Sequence, residues 1–209
     1  MHNSSSGNGF TIPNGLHEAV ATMVIDCGYH TRTGKFGTKT NRELYLRFEL
    51  PECLIPDGEY AGQRATVGSR YNCSMYSKAN LRKDLESWRG SQFTDLEADA
   101  FDPTSVIGKP AQVQIMINDA GYANINAILP SKQKHVPSET VVFDTDVPKN
   151  YNDLPEFVQR KINLPEAVQY QQEQNATQAN IEQETPSAMQ QDMADSMANA
   201  DFDDSEIPF

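Results

Sequence analysis

Basic and aromatic side chains are interleaved near the start of the chain. Residues 29–47 contain five arginines and lysines, three aromatic residues and one acid. Cations pair with phosphates and aromatic rings stack on bases, each stack contributing roughly 1 to 3 kcal/mol, so this composition predicts a site for single-stranded DNA. With two residues from a later strand, the predicted contacts are Tyr29, Arg32, Lys35, Phe36, Lys39, Arg42, Tyr45, Arg47, Arg70 and Tyr71.

The same stretch has a plainer interpretation. Gly34 and Gly37 would let a loop close over a bound strand, but a solvated charged hairpin with Phe36 in a small core would have the same composition. Either a stacking role or a surface position is open for Tyr122 as well. Stacking and backbone contacts alone predict little sequence preference, and they leave the choice between DNA and RNA open.

The sequence carries no recognised catalytic pattern. It has no Gly-rich phosphate loop of the Walker type and no Gly-x-Ser-x-Gly nucleophile motif. Asp99 and Asp102 are close in sequence, as a metal-dependent nuclease requires, but acids in a loop before Pro103 are usually solvated. We therefore expect a non-enzymatic protein with no catalytic residue and no cofactor.

Cysteine and histidine usage argues against a metal site and against secretion. The three cysteines and four histidines are scattered, with no spacing typical of zinc ligands. Unpaired thiols indicate a reducing compartment, so we expect a cytoplasmic protein. No apolar run approaches the roughly 18 residues of a membrane span, and the polar residues 1–9 do not resemble a signal peptide.

Alternating apolar residues predict several strands. In residues 43–50 every even-numbered residue is apolar, so one face of this strand belongs to the core and the other carries Tyr45 and Arg47. A flexible basic loop, residues 28–41, is predicted before this strand. Further strands are predicted at residues 19–27, 62–73, 112–117 and 122–129, the last two as a hairpin that Pro130 ends.

A helix is predicted between the third and fourth strands. Leu81, Leu85 and Trp88 recur at helical spacing, Ser77 is placed to cap the helix, and Gly90 stands where it would end. Trp88 is therefore expected in the core and not on a base. A second short helix is predicted over residues 94–100.

Five short strands with a helix between the third and fourth match the OB-fold, a partly open barrel that binds oligonucleotides on one sheet face. Other small α+β folds share this count. The predicted fold class is mainly β, an OB-fold barrel plus a disordered acidic C-terminal tail. The predicted organisation is a flexible N-terminus at 1–17, the barrel at 18–137, an extension packing on the barrel at 138–164 with a strand at 140–143 and a helix at 154–162, and the tail at 165–209.

Charge is concentrated in the last third of the chain. Residues 1–137 contain 14 basic and 14 acidic residues, whereas residues 138–209 contain 3 basic and 15 acidic ones. The formal charge of -12 therefore does not prevent a basic groove in the first part. From residue 166 onward bulky apolar residues are nearly absent, so burial cannot offset the entropy of ordering and disorder is predicted.

The last nine residues differ from this polar tract, because acids alternate with apolar residues there. A short acidic run followed by Ile-Pro-Phe and the free carboxylate resembles the C-terminal motif of bacterial single-stranded DNA-binding proteins and of phage proteins that imitate them. Residues 78–93 and 121–125 are more loosely similar to phage-encoded members of this class. Ser205 departs from the motif because it interrupts the acidic run.

The resemblance implies sequence-independent binding and protection of single-stranded DNA in replication, recombination and repair, in the cytoplasm of a bacterial host. It also implies that replication and repair proteins dock the tip, with the ring of Phe209 in an apolar pocket and its α-carboxylate on a basic rim. The tip residues are Asp201, Phe202, Asp203, Asp204, Glu206, Ile207, Pro208 and Phe209. A tail of this length spans about 35–40 Å as a random coil, so we expect it to reach the groove and compete with DNA.

A different class of function would explain the tail equally well. An acidic-tailed adaptor or a DNA mimic would have a barrel that never contacts nucleic acid. Such a protein has no need for the basic and aromatic cluster at residues 29–47. No membrane association is expected, and the sequence leaves a homo-oligomer open.

Overall fold

A six-stranded sheet forms the centre of the part of the chain that the structure describes. This structure is a computed structural model, and it describes residues 10–35, 37–146 and 151–164, which lie in one unit ending at Leu164. The predictions for residues 1–9, for Phe36 and for the tail and tip at 165–209 lie outside the described residues. The strands are β1 (Gly15–Gly34), β2 (Gly37–Leu54), β3 (Arg64–Asn72), β4 (Pro110–Ile117), β5 (Ala123–Pro130) and β6 (Val141–Phe143).

The strands run in the order β3-β2-β1-β4-β5, with neighbours antiparallel. One edge of β1 pairs with β2. Its other edge pairs with β4 over residues 15–20 and then with β6, in parallel, over residues 23–25. The mainly β prediction is confirmed, whereas no pairing joins β3 to β5 in the described chain, so closure into a barrel stays a prediction.

Helix α1 (Asn80–Arg89) packs its apolar side on one face of the sheet. Trp88 is buried there, edge-on to Phe48 with ring centroids 5.2 Å apart, and its indole N–H donates to the Pro110 carbonyl oxygen at 2.7 Å. The predicted core position of Trp88 is confirmed, and so is the end of the helix at Gly90, which has a φ of 74°. The Ser77 cap is wrong, because the N-cap is Ala79 and makes no side-chain hydrogen bond.

The other short elements follow the predictions more closely. Thr94 caps α2 (Asp95–Asp99) with a complete capping box, and a single-turn 3-10 helix covers Pro103–Val106. β4 and β5 form the predicted hairpin. β1 begins at Gly15, inside the stretch predicted to be flexible, because residues 15–20 pair with β4.

The predicted loop at residues 28–41 is wrong. The ladder between β1 and β2 continues through it to the pair Gly34–Gly37. Four threonines line this part, and hydroxyl hydrogen bonds join Thr31 to Thr40 at 2.8 Å and Thr33 to Thr38 at 3.0 Å. Threonine favours strands because its branched side chain suits the pleated surface. We call residues 28–42 the arm.

After β5 the chain adds β6 at the edge of β1 and then crosses the face of the sheet opposite α1. We call residues 136–146 and 151–164 the strap. It contains β6, a 3-10 turn (Tyr151–Asp153) and the short helix α3 (Glu156–Gln159). Its buried apolar residues are Phe143, Leu154, Val158 and Leu164. The buried residues of β1 next to the strap include Met23 and Ile25 beside β6, and Cys27 beside Asn163. The sheet is therefore covered on both faces around its centre.

Candidate nucleic-acid interface

The polar face of β2, where binding residues were predicted, lies under the strap. Only 3% of Tyr45 is exposed, and the Lys161 ammonium lies 4.8 Å from the centre of its ring. The Arg47 guanidinium carbon lies 5.7 Å from the centre of the Phe157 ring. A base needs an open ring face on which to stack, so Tyr45 offers no stacking surface in this conformation.

The strap covers Arg47, but one of its hydrogen-bond donors stays unpaired. Its Nε is buried and has no hydrogen-bond partner, and burial lowers the pKa of its guanidinium. A buried donor without an acceptor costs roughly 1–3 kcal/mol. Arg47 therefore adds positive charge beneath the strap without being exposed as a phosphate contact.

Arg42 stands at the base of the arm among three carboxylates. It donates to both oxygens of Asp26, at 3.1 and 2.7 Å, and to Asp146 at 2.8 Å and Asp144 at 3.3 Å. Asp144 and Asp146 belong to the strap and are more than half exposed. This predicted phosphate contact is thus already occupied by anions of the same chain.

Asp26 links the sheet to the strap through the same cluster. Burial raises its pKa, but hydrogen bonds from Arg42, Thr145 and the Gly28 backbone outweigh burial, so the pKa lies below the usual value. The Thr145 backbone N–H donates at 3.1 Å, and its hydroxyl donates to the same oxygen. Asp26 is therefore a charged anchor in the folded protein.

Glu43 holds two of the predicted cations at once. Arg32 donates to its two oxygens at 2.6 and 2.9 Å, and Arg70 lies 3.1 Å from the second oxygen. Burial raises the pKa of Glu43, and the Arg32 hydrogen bond and the Arg70 charge more than reverse this effect. One carboxylate cannot neutralise two guanidinium groups. The group of Glu43, Arg32 and Arg70 therefore keeps a net positive charge, and 56% of the Arg32 side chain is exposed.

Tyr71 lies on the opposite side of the sheet from these residues. It pairs with Leu44 in the ladder, is buried in the core, and donates its hydroxyl to Asp84 at 2.9 Å. Burial is the main reason why its pKa is raised. The burial of Tyr71 could have been predicted from the sequence, because side chains alternate along a strand and Ala65 and Val67, at even spacing from Tyr71, also face the core. The structure therefore does not place Tyr71 with the other predicted contacts.

The arm carries the predicted residues that remain open. Residues 28–42 contain four basic residues and no acid, and 58% of Tyr29 is exposed. Lys35 and Lys39 are exposed, and Lys39 is opposite Arg32 in the ladder. The structure thus leaves Tyr29, Arg32, Lys35 and Lys39 exposed on one ribbon, with Tyr29 on one face and the opposed pair Arg32 and Lys39 on the other. Phe36, at the end of the ribbon, lies outside the described residues.

Sequence reasoning missed two residues close to this site. Phe157 and Lys161 come from the strap, more than a hundred positions after the strand that they cover. Nothing in the local pattern around residue 157 indicates which sheet face it meets. The four-residue spacing of Phe157 and Lys161 was the only available signal, since it would place both on one side of the helix predicted over residues 154–162.

Neither a metal site nor a membrane-spanning helix is found in residues 10–35, 37–146 and 151–164. No three His, Cys, Asp or Glu side chains in these ranges are grouped to hold a metal ion. The helices there are too short or too polar to cross a membrane. No protein-family model, curated protein or solved structure matches this chain.

Proposed function

We propose that this chain binds single-stranded DNA with little sequence preference and has no catalytic activity. The observation that carries the proposal is the arm, a projecting ribbon with an exposed tyrosine, three exposed cations and no acid of its own. Phosphates pair with Arg32, Lys35 and Lys39, and a base stacks on Tyr29. Such contacts read charge and ring faces and do not read base edges, which is why little preference is expected.

The biological role follows from the resemblance of the C-terminal tip. The protein coats and protects unpaired strands during replication, recombination and repair, and the tip at residues 201–209 recruits replication and repair proteins. A phage-encoded protein acting in the bacterial cytoplasm is consistent with this role.

An OB-fold is the architecture that we propose for the sheet. The supporting features are the central place of β1 between β2 and β4, and the position of α1 between β3 and β4 in the chain. In OB-folds the loop joining the first two strands contacts nucleic acid. Here the arm occupies that place as an ordered extension of the two strands.

A second candidate is an adaptor or DNA mimic, and a specific observation favours it. The strap covers the sheet face that OB-folds use, and it places Asp144 and Asp146 on Arg42. If this cover excludes DNA entirely, the domain has only its protein-docking role. The two candidates differ in whether the arm alone gives measurable affinity.

The deciding experiment is a titration of fluorescein-labelled oligo(dT) with the full-length chain at several salt concentrations. Binding should weaken with salt, with a log–log slope of about 0.7 for each phosphate contact. Replacing both Lys35 and Lys39 with Gln should lower that slope by about 1.4. The matched control replaces Lys78 and Lys83, two exposed lysines outside the arm, and should leave the slope unchanged.

The outcomes separate the candidates. No binding by the wild-type chain in dilute buffer removes the proposed function and favours the adaptor. Binding that the arm and control variants reduce equally would mean that DNA is held by general charge attraction, and it would remove the arm as the site.

A further inference from the structure

Helix α3 presents an aromatic ring to solvent although the same turn anchors the strap. Leu154 and Val158, four positions apart, are buried. Phe157 and Lys161 share the same spacing, and 39% of Phe157 is exposed. Leu154 and Lys161 flank the helix, which covers only Glu156–Gln159, and the Lys161 ammonium lies over the Tyr45 ring. The anchoring pair therefore faces the sheet, while the second pair stands beside it at the surface.

This second pair repeats the chemistry of the residues that it covers. The Phe157 ring lies over Arg47, and the Lys161 ammonium lies over the Tyr45 ring. A guanidinium within about 6 Å of a ring centre attracts the ring, and the exposed 39% of Phe157 keeps part of that ring open to solvent. The strap thus buries one aromatic and one cationic side chain and presents the same two kinds of group one layer further out.

The strap joins this pair to the base of the arm. Asn163 donates its backbone N–H to the Cys27 carbonyl and its side-chain amide to the Tyr29 carbonyl, both at 2.7 Å. Arg70 donates to the Lys161 carbonyl at 3.1 Å while it is paired with Glu43. These bonds fix the position of Lys161 relative to the cations of the arm.

The charge around Lys161 favours an anion. Glu43 is the carboxylate shared by Arg32 and Arg70. Burial lowers the pKa of Lys161, and the positive charge of Arg70 lowers it further. A phosphate would relieve the repulsion between these cations. Glu156, on the same turn as Phe157, is ion-paired with Arg160, which reduces its repulsion of a nearby phosphate.

Resting on the proposed function, we propose that Phe157 and Lys161 form a second contact for single-stranded DNA, continuous with the arm. The Phe157 ring stacks on a base, and the Lys161 ammonium pairs with an adjacent phosphate. The strap is therefore part of the binding surface and does not have to leave the sheet for DNA to bind.

The test uses the full-length chain and fluorescein-labelled oligo(dT). Phe157→Leu keeps an apolar side chain of similar size and removes the ring, and it should weaken binding about 5- to 150-fold. Phe157→Tyr keeps the ring and should retain the affinity. Leu96→Ala, at an apolar residue of α2 that is more exposed, is the matched control and should have no effect.

Lys161→Gln should lower the salt slope by about 0.7, and Lys83→Gln on α1 should not. Ultraviolet crosslinking of the wild-type chain to oligo(dT), followed by mass spectrometry of its peptides, adds a measurement that requires no variant. We expect a crosslinked peptide that contains Phe157 as well as one from the arm.

Three results would overturn this inference. If Phe157→Leu binds as Leu96→Ala does and only arm peptides crosslink, the proposed function stands and the strap contact is wrong. If Phe157→Leu binds more tightly than the wild type, the strap is a lid over the sheet. Absence of any binding by the wild type would remove both proposals.

Discussion

The arm and the root of the same hairpin contain similar residues in opposite surroundings. In the root, residues 43–50 of β2 lie between the core and the strap, and Tyr45 is almost fully buried. In the arm the same two strands extend past both layers, and more than half of Tyr29 is exposed. Tyrosine and arginine thus become packing groups where a later segment covers them, and they stay open to solvent where that segment ends. Under the proposed function, the length of the hairpin beyond the strap decides which residues can reach DNA.

The comparison predicts that the root, and not the arm, carries the stability of the hairpin. Phe48 is fully buried against Trp88, so Phe48→Ala leaves a cavity and should reduce the free energy of unfolding by about 3–5 kcal/mol. Thr33→Ala, exposed in the arm, removes one cross-strand hydroxyl bond to Thr38 and should change it by less than about 1 kcal/mol. Urea denaturation of the two variants measures both values. Similar losses would mean that the arm is part of the cooperative core.

Asp26 is the charged anchor between the sheet and the strap. Asp26→Asn removes the charge that Arg42 and Thr145 bind, and we expect a loss of about 2–3 kcal/mol at neutral pH. The folded-state pKa of Asp26 is below its ordinary 3.8. Its stabilisation is therefore complete above that ordinary value and is lost as the pH falls through the folded pKa.

Unfolding of wild type and Asp26→Asn over a range of pH tests the sign of this linkage. The difference between them should be constant near neutral pH and should shrink below about pH 4. Asp57→Asn, in an exposed turn after β2, is the control and should show no difference at neutral pH. If the difference in the free energy of unfolding between the wild type and Asp26→Asn grew at acid pH, Asp26 would not be held as a carboxylate.

Local patterns in the sequence predicted the elements whose environment is decided nearby. The alternation in residues 43–50 gave the core face of β2, and the spacing of Leu81, Leu85 and Trp88 gave the buried side of α1. The hairpin of β4 and β5 followed from its alternation and its turn. In each case the partners lie within one supersecondary unit, so a periodic pattern is sufficient.

Distant partners explain what the sequence could not provide. The arm has no apolar alternation, since threonine, glycine and lysine fill it, and its pattern resembles a loop. The polar face of β2 was expected to be open because the strap that covers it begins about ninety residues later. Arg42 likewise meets Asp144 and Asp146 only through the tertiary fold.

Two tyrosines, one exposed in the arm and one buried in the core, separate DNA affinity from stability. Tyr29→Leu should weaken oligo(dT) binding by about 1–3 kcal/mol and leave unfolding unchanged, because the ring is exposed. Tyr71→Phe removes the hydrogen bond to Asp84 and should reduce stability by about 1 kcal/mol without affecting DNA affinity. Fluorescence anisotropy and thermal unfolding of each variant give the two measurements. A loss of affinity in Tyr71→Phe would contradict its assignment to the core.

The smallest effect tests whether the arm binds DNA through its shape or only through its charged and aromatic side chains. Thr31→Val keeps the branched side chain and removes a hydroxyl that bonds to Thr40 across the ladder. An exposed cross-strand pair contributes roughly 0.2–1 kcal/mol, so the arm should stay paired and the affinity for oligo(dT) should fall less than twofold. Amide hydrogen exchange in the arm measures whether its strands stay paired, and fluorescence anisotropy measures the affinity for oligo(dT). If the affinity drops while exchange is unchanged, the threonine hydroxyls contact the phosphates themselves, and the binding surface of the arm is wider than its cations and Tyr29.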